Sequence, residues 1–208
     1  RELDLKVATI YIGGGTPTIL DEGQLRDLLS FVSKQTDVSL LDEYTVEAGR
    51  ADTITEEKLV VIKENGGKRI SVNPQTMNNK VLETIGRSHT AEQVKEAFSL
   101  ARKVGFDNIN TDLIAGLPSD NYESFKNTLN EVINLDPESI TVHTLTLKRA
   151  SSLFREADLV SDEDIAKMVS YSVDKLCGEG YNPYYLYRQK NTLNNLENVG
   201  YAKKGKES

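Results

Sequence analysis

Asp107-Asn108-Ile109-Asn110-Thr111-Asp112-Leu113-Ile114-Ala115-Gly116-Leu117-Pro118 is the stretch on which the fold turns. It reads as a strand over Asp107–Ala115, closed by Gly116, Leu117 and Pro118. Side chains alternate across a strand, so Asn110 and Asp112 share one face, opposite Ile109, Thr111 and Leu113. A parallel strand covered by helices on both faces would be a continuous apolar run. This strand is not, and three others repeat its pattern. Thr45 and Glu47 share a parity in Glu43–Ala48, Ser71 and Asn73 in Arg69–Asn73, and Thr141 and His143 in Ser139–Leu145. Polar groups on one face near the C-terminal strand ends are what the inside of a barrel lining a ligand cavity requires.

Working outward, strands alternate with helices. A strand at Lys6–Ile12 precedes a helix from Asp21, where Asp21 and Gln24 form a capping box and Leu25, Leu28, Leu29 and Val32 form an apolar stripe. A helix from about Thr55 carries Leu59, Val61 and Ile62 inward and stops at Gly66 and Gly67. A short helix is expected over Asn79–Ile85. A stronger one starts at the Thr90–Gln93 capping box, carries Val94, Ala97, Phe98 and Ala101, and ends at Gly105. Further helices present Phe125, Leu129, Val132 and Ile133, then Ile165, Met168, Val169 and Leu176 from Ser161 onward to Gly178–Gly180. A less regular stretch lies between the last two units. A final strand-like run, Tyr184–Arg188, leads into a polar tail. This βα alternation implies parallel strands with right-handed crossovers. A closed eight-unit barrel takes about 250 residues. The expectation is therefore an α/β chain folded as a partial, incomplete parallel β/α barrel. It is read as a single domain over 1–208, with the barrel core at about 7–147 and a helix, strand and tail over 148–208.

Composition sets limits. Of 208 residues, 25 are Lys or Arg and 32 Asp or Glu, a net charge of −7, which argues against a nucleic-acid binder. Lys203, Lys204 and Lys206 read as a solvated tail. Hydrophobic residues make up 38%, and no run approaches the roughly 18 apolar residues that span a bilayer. No membrane partner and a cytoplasmic location are expected. One cysteine, Cys177, excludes an internal disulfide and any CxxC or CxxxCxxC site within these residues, so no metal ligands are assigned. Cys177 reads as a buried small apolar residue.

The candidate chemistry lies at strand ends. Gly13-Gly14-Gly15-Thr16-Pro17-Thr18 removes every Cβ where the chain turns, so a ligand can approach the main chain. A tight βα turn with no ligand would use the same glycines. Neither a dinucleotide fingerprint nor a P-loop is present, since Thr16 and Pro17 interrupt the first and no Lys follows for the second. Glu47 can accept from a ribose diol or an ammonium, or it can pair with Arg50. Gln75 can donate and accept toward sugar hydroxyls, or bond the backbone of its own loop. Asp112 stands alone in an apolar run, where a carboxylate must be paired, hydrated or ligand-bound. Arg87 in Gly86-Arg87-Ser88-His89 can clamp a carboxylate or lie exposed. His143 shares the inward parity of Thr141, and a satisfied core histidine is an equal alternative. Tyr184, Tyr185, Tyr187 and Arg188 suit a flat acidic ligand, or a last strand packed on the barrel.

Taken in order, Tyr11-Ile12-Gly13-Gly14-Gly15-Thr16-Pro17-Thr18, Glu47, Gln75, Arg87 and Asn110–Pro118 resemble the oxygen-independent coproporphyrinogen III oxidase family of radical S-adenosylmethionine (SAM) enzymes. The resemblance covers about residues 7–147. Tyr187–Asn191 and Asn195–Tyr201 look like its coproporphyrinogen oxidase-like branch from anaerobic and spore-forming bacteria. The haem-chaperone branch carries an HNxxYW stretch in this region, and this chain has none. The resemblance implies a partial barrel with SAM across the strand ends, against a [4Fe–4S] cluster. Gly13, Gly14, Gly15 and Thr16 would receive the methionyl ammonium. Glu47, Gln75 and Asp112 would hold ribose or amino groups, and Arg87 the carboxylate. The implied reaction uses a 5′-deoxyadenosyl radical to take hydrogen from a propionate of coproporphyrinogen III, and decarboxylation leaves a vinyl group, a step of haem biosynthesis. An electron donor is implied but not identified. The family's CxxxCxxC loop follows its first barrel strand. It would lie before Arg1, so the chain is expected to be an N-terminally truncated, inactive fragment that does not ligate the cluster. The rival expectations are a haem-binding chaperone of the same superfamily and a non-radical α/β barrel domain.

Overall fold

The computed structural model describes residues 6–145, 159–188 and 197–208. The two-sided strands found in the sequence form its centre. With the first strand they make five: β1 (Thr9–Ile12), β2 (Glu43–Glu47), β3 (Arg69–Ser71), β4 (Ile109–Ala115) and β5 (Ser139–Thr144) lie side by side in chain order, all parallel. The helices between them are α1 (Glu22–Gln35), α2 (Glu56–Glu64), α3 (Asn79–Thr84), α4 (Ala91–Val104) and α5 (Tyr122–Asn134), followed by α6 (Asp162–Gly178). The core is the outer face of the sheet: Tyr44, Val46, Ile70, Val72, Ile109, Leu113, Ile140 and Val142 pack against Leu25, Leu29, Leu59, Ile62, Phe98, Phe125 and Leu129 of the helices. Covering only this face with helices frees the other to be polar, and the sheet curls around it as a half-barrel.

The helix ends follow local rules. Asp21 with Gln24 and Thr90 with Gln93 form reciprocal capping boxes on α1 and α4. Gly105, at φ 94°, closes α4 in the left-handed conformation that a Cβ disfavours. Leu28 departs from the expected stripe: it is 37% exposed, at the edge of a face on which Leu25 and Leu29 are buried and Val32 packs partly buried.

The C-terminal part departs further from the sequence reading. The expected polar tail contains a strand, β7 (Asn198–Ala202), all five residues of which are buried. It runs antiparallel to β5 on one side and to β6 (Asn182–Tyr187) on the other, giving the sheet order β1-β2-β3-β4-β5-β7-β6. The strand expected at Tyr184–Arg188 is thus β6, at the edge rather than against the barrel's last parallel strand. Lys203 and Lys206 are not simply solvated. Lys203 Nζ lies 2.7 Å from Asp136 Oδ1 and Lys206 Nζ 3.6 Å from Asp107 Oδ2, pinning the segment after β7 to the loops that precede β5 and β4. Cys177 is exposed, not buried, because Met168, Ser172 and Leu176 take the inner face of α6. Residues 146–158, expected to be irregular, and 189–196, within the quoted tail motif, lie outside the described residues.

Candidate cofactor site

Inward-facing residues of adjacent strands stand side by side, and the register dictates which. Tyr11 lies beside Thr45 and Thr45 beside Arg69; Glu47 lies beside Ser71, Ser71 beside Asn110, and Asn110 beside Ser139. Their polar atoms form one network. Arg69 Nη2 donates to Ser139 Oγ (2.8 Å), Ser139 Oγ donates to Asn110 Oδ1 (3.0 Å), and Asn110 Nδ2 donates to Ser71 Oγ (2.9 Å) and to Asp112 Oδ1 (2.9 Å). Arg69, only 5% exposed, also meets Glu43 at 3.4 Å, which offsets the cost of burying its charge. A cavity of about 400 Å³ opens above this network, lined among others by Tyr11, Asn110, Asp112, His143, Tyr184 and Tyr185.

Asp112 is part-buried. One carboxylate oxygen is engaged by Asn110, while the other lies 3.9 Å from His143 Nε2. Asp112 and His143 both line the cavity, with the imidazole beside the second carboxylate oxygen. On the far side Tyr11 Oη donates to Glu47 Oε2 at 3.4 Å. Burial, then the charges of Glu47 and Asp112, push the Tyr11 hydroxyl up to about 12, so it remains a donor at neutral pH. Gly13 belongs to the same corner. A Cβ there would lie 2.6 Å from Glu47 Oε2 and 2.3 Å from Tyr11 Cε1. Around Gly14 and Gly15 a Cβ would meet nothing within 4 Å, so the main chain of this turn is open to a ligand.

Gln75 follows β3 in the left-handed region, at φ 68°, which a residue other than glycine adopts at a cost. Two backbone bonds to β4 hold it there: Gln75 N donates to Asp112 O (3.0 Å) and Ile114 N donates to Gln75 O (3.0 Å). Arg87 sits in the loop between α3 and α4. Burial, and then the nearby Arg50, hold its guanidinium below the ordinary arginine range. Among the described residues Arg87 has no carboxylate partner, whereas Arg50 is paired with Asp52 at 2.6 Å. Arg50 Nη2 donates to Ser88 Oγ at 3.3 Å, joining the loop after β2 to the loop that bears Arg87.

The structure thus gathers Gly13, Glu47, Gln75 and Asp112 at the C-terminal strand ends, where parallel β/α folds bind ligands. Arg87 is tied to this group through the Arg50–Ser88 contact and through His89 rather than by direct bonding. Thr16 caps the short 3₁₀ turn at Pro17–Ile19 and bonds it through its carbonyl. Sequence reading did not single out Glu43, Arg69, Asn110 and Tyr11 as site residues, though their inward parity marked them. It also missed His89, whose sequence carries no periodic signal.

These residues suit SAM. Arg87, which among the described residues forms no ion pair, matches its carboxylate, Glu47 and Asp112 match its hydroxyl and ammonium donors, and at Gly13 a side chain would displace Glu47. They do not suit an iron–sulfur cluster. The 208 residues contain one cysteine, and among the described residues no group of three His, Cys, Asp or Glu side chains is placed to hold a metal ion.

A half-barrel of five parallel strands, with a polar inner face and a candidate ligand site across their ends, defines a class, the incomplete SAM-type β/α barrel. Comparison with known proteins gives the family. The sequence model of the Radical SAM superfamily matches residues 1–132. The chain belongs to this superfamily, whose members use SAM and a [4Fe–4S] cluster. The chain is 49% identical to the oxygen-independent coproporphyrinogen-III oxidase-like protein HemZ of Bacillus subtilis, covering 100% of this chain and 42% of that protein. It is 37% identical to the heme chaperone HemW of Lactococcus lactis, covering 86% of this chain and 48% of that one. Among solved structures, the coproporphyrinogen III oxidase HemN of Escherichia coli, a radical SAM enzyme, superimposes with a TM-score of 0.80 at 26% identity, covering 97% of this chain and 44% of that one. The chain spans less than half the length of these relatives.

Proposed function

We propose that the protein bearing this chain is a radical SAM oxidoreductase that converts propionate side chains of coproporphyrinogen III to vinyl groups, in the cytoplasm and with an electron donor yet to be identified. The observation that carries this reading is the convergence of Gly13, Glu47, Gln75 and Asp112 at one end of the half-barrel, near an arginine that among the described residues forms no ion pair. With its cluster, bound SAM supplies a carbon radical able to take a hydrogen atom from an unactivated carbon. The chain's own residues bind and orient. The turn at Gly13–Thr16 accepts the methionyl end against bare main chain. Glu47 and Asp112 accept hydrogen bonds from the ligand's amino and hydroxyl groups, Gln75 both donates and accepts, and Arg87 takes the carboxylate. Cluster ligation is assigned to no residue of this chain.

A second reading is supported by the identity to a protein named heme chaperone: the same half-barrel serving haem binding rather than turnover. Two measurements test the assignments. Calorimetry of SAM with the 208-residue chain should show weak binding that falls about tenfold or more in Asp112→Ala and in Glu47→Ala, the loss of a charged hydrogen-bond acceptor. Unchanged affinity in both variants would remove the site. In the full-length protein with its cluster reconstituted, release of CO₂ from coproporphyrinogen III supports the oxidoreductase, whereas stoichiometric haem binding without turnover supports the chaperone.

A further inference from the structure

His89 lies two residues after Arg87 and immediately before Thr90, the N-cap of α4. Its ring is 2% exposed, and Nε2 lies 3.3 Å from the carbonyl oxygen of Pro74. A carbonyl can only accept, so the proton of this contact is on Nε2. The other ring nitrogen, Nδ1, is buried with no hydrogen-bond partner among the described residues, which a neutral imidazole tolerates better than a charged one. Pro74 is the residue before Gln75, whose φ of 68° is held on its far side by the two backbone bonds to β4.

We infer that His89 is a positioning residue: its imidazole fastens the Arg87 loop to the turn that presents Gln75, so that two ligand-facing side chains from different elements are set as one unit. The inference rests on the proposed SAM site. The geometry supports it in three ways. Gln75 occupies a conformation that persists only where its surroundings over-determine it, and the Pro74 carbonyl is one of those surroundings. The Arg87 backbone is itself fixed, its N–H donating to Leu82 O at 2.9 Å, so a tether at His89 acts on a short, stiff arm. The second contact on this loop, Arg50 to Ser88, joins it to the loop after Glu47 but not to Gln75. Among the described residues, His89 is therefore the side chain that couples the Arg87 loop to β3's end.

The test compares His89→Leu, which fills the space without a donor, with His89→Gln, whose side-chain amide can still reach the Pro74 carbonyl. In the ligand-free chain, amide hydrogen exchange at Gln75 and Ile114 should accelerate about tenfold or more in His89→Leu and stay within about threefold of wild type in His89→Gln. SAM affinity should fall about tenfold in His89→Leu and be rescued in His89→Gln. 5′-Methylthioadenosine, which lacks the amino-acid end, should lose less. His89→Leu combined with Gln75→Ala should lose less than the sum of the two single losses, because both remove the same arrangement. Unchanged exchange at Gln75 and Ile114 in His89→Leu overturns the inference whatever the ligand result, as do equal losses for both ligands with additive double-variant behaviour. If His89→Leu does not fold, accelerated exchange in His89→Ala, again measured against His89→Gln, decides the same point. Altered exchange together with no SAM binding by the wild-type chain leaves the tether standing and removes the SAM site instead.

Discussion

A Cβ on Gly13 would be 2.6 Å from Glu47 Oε2 and 2.3 Å from Tyr11 Cε1. Both are distal atoms of side chains that can swing away, and Tyr11 is 58% exposed, so the backbone need not shift. Gly13→Ala should therefore cost less than about 1 kcal/mol of stability in urea denaturation while lowering SAM affinity at least about tenfold, since it displaces Glu47, a proposed ligand contact, and narrows the proposed methionyl turn. Gln75 behaves in the opposite way, because its special feature is in the backbone. Gln75→Gly relieves the strain of φ 68° but frees the unfolded chain, so its stability should stay within about 1 kcal/mol of wild type. Gln75→Val should cost about 2 kcal/mol, as a β-branched side chain is poorly accommodated there. Urea midpoints check both. The glycine run was visible in sequence, but the strain at Gln75 was not, because glutamine carries no propensity for positive φ.

Helix boundaries were legible because caps depend on neighbours in sequence. The boxes at Asp21–Gln24 and Thr90–Gln93 and the stop at Gly105 form as read. The stop after α2 carries a steric requirement as well, set by the helix's own last turn. A Cβ on Gly67 would lie 2.4 Å from Ile62 Cγ2 and 2.8 Å from Ile62 O, a backbone atom that cannot swing away. Gly67→Ala should lower stability by about 2 kcal/mol in urea denaturation, unlike Gly13→Ala. β7 was not legible. Asn198-Val199-Gly200-Tyr201-Ala202 is short, contains a glycine and sits in a polar stretch, so it lacks the alternation that marks a half-buried strand. It is a strand because β5 and β6 offer it hydrogen-bonding edges on both sides. Gly200 leaves space there for Tyr184 and Tyr185, whose atoms a Cβ would meet at 3.2 Å.

Across the whole molecule, burial sets how stability responds to pH. Burial, opposed by the bond to Pro74 and aided by Arg87, holds the His89 imidazole below its ordinary range. Asp52 on the neighbouring loop pulls the other way and Arg50 the same way as Arg87. The unfolded chain then binds the proton first, so His89 contributes stability that is complete above about pH 6.5 and is lost as pH falls below it. Asp120 acts with the opposite sign. Burial raises its carboxyl, so the native chain holds that proton longer, and stability falls as pH rises through the range above about pH 4. Asp120 acts alike in both proteins, so between about pH 5 and 7 the urea midpoint of the wild type should gain relative to that of His89→Gln as pH rises. An identical profile in both proteins would contradict the neutral buried imidazole.

By itself the sequence determined which face of each strand is polar, where the main helices begin and end, and that the units add up to less than a closed barrel. Those features follow from period-two and period-3.6 patterning and from caps, which residues close in the chain specify together. It also placed Glu47 and Asp112 on the inner face, because parity carries that information. Only the tertiary structure decided that Asn198–Ala202 enters the sheet between β5 and β6, that Cys177 faces outward, that Arg87 has no carboxylate partner among the described residues, and that His89 reaches Pro74. Each of these depends on contacts between segments distant in sequence, where competition for one edge or one buried acceptor is settled by packing and not by local pattern.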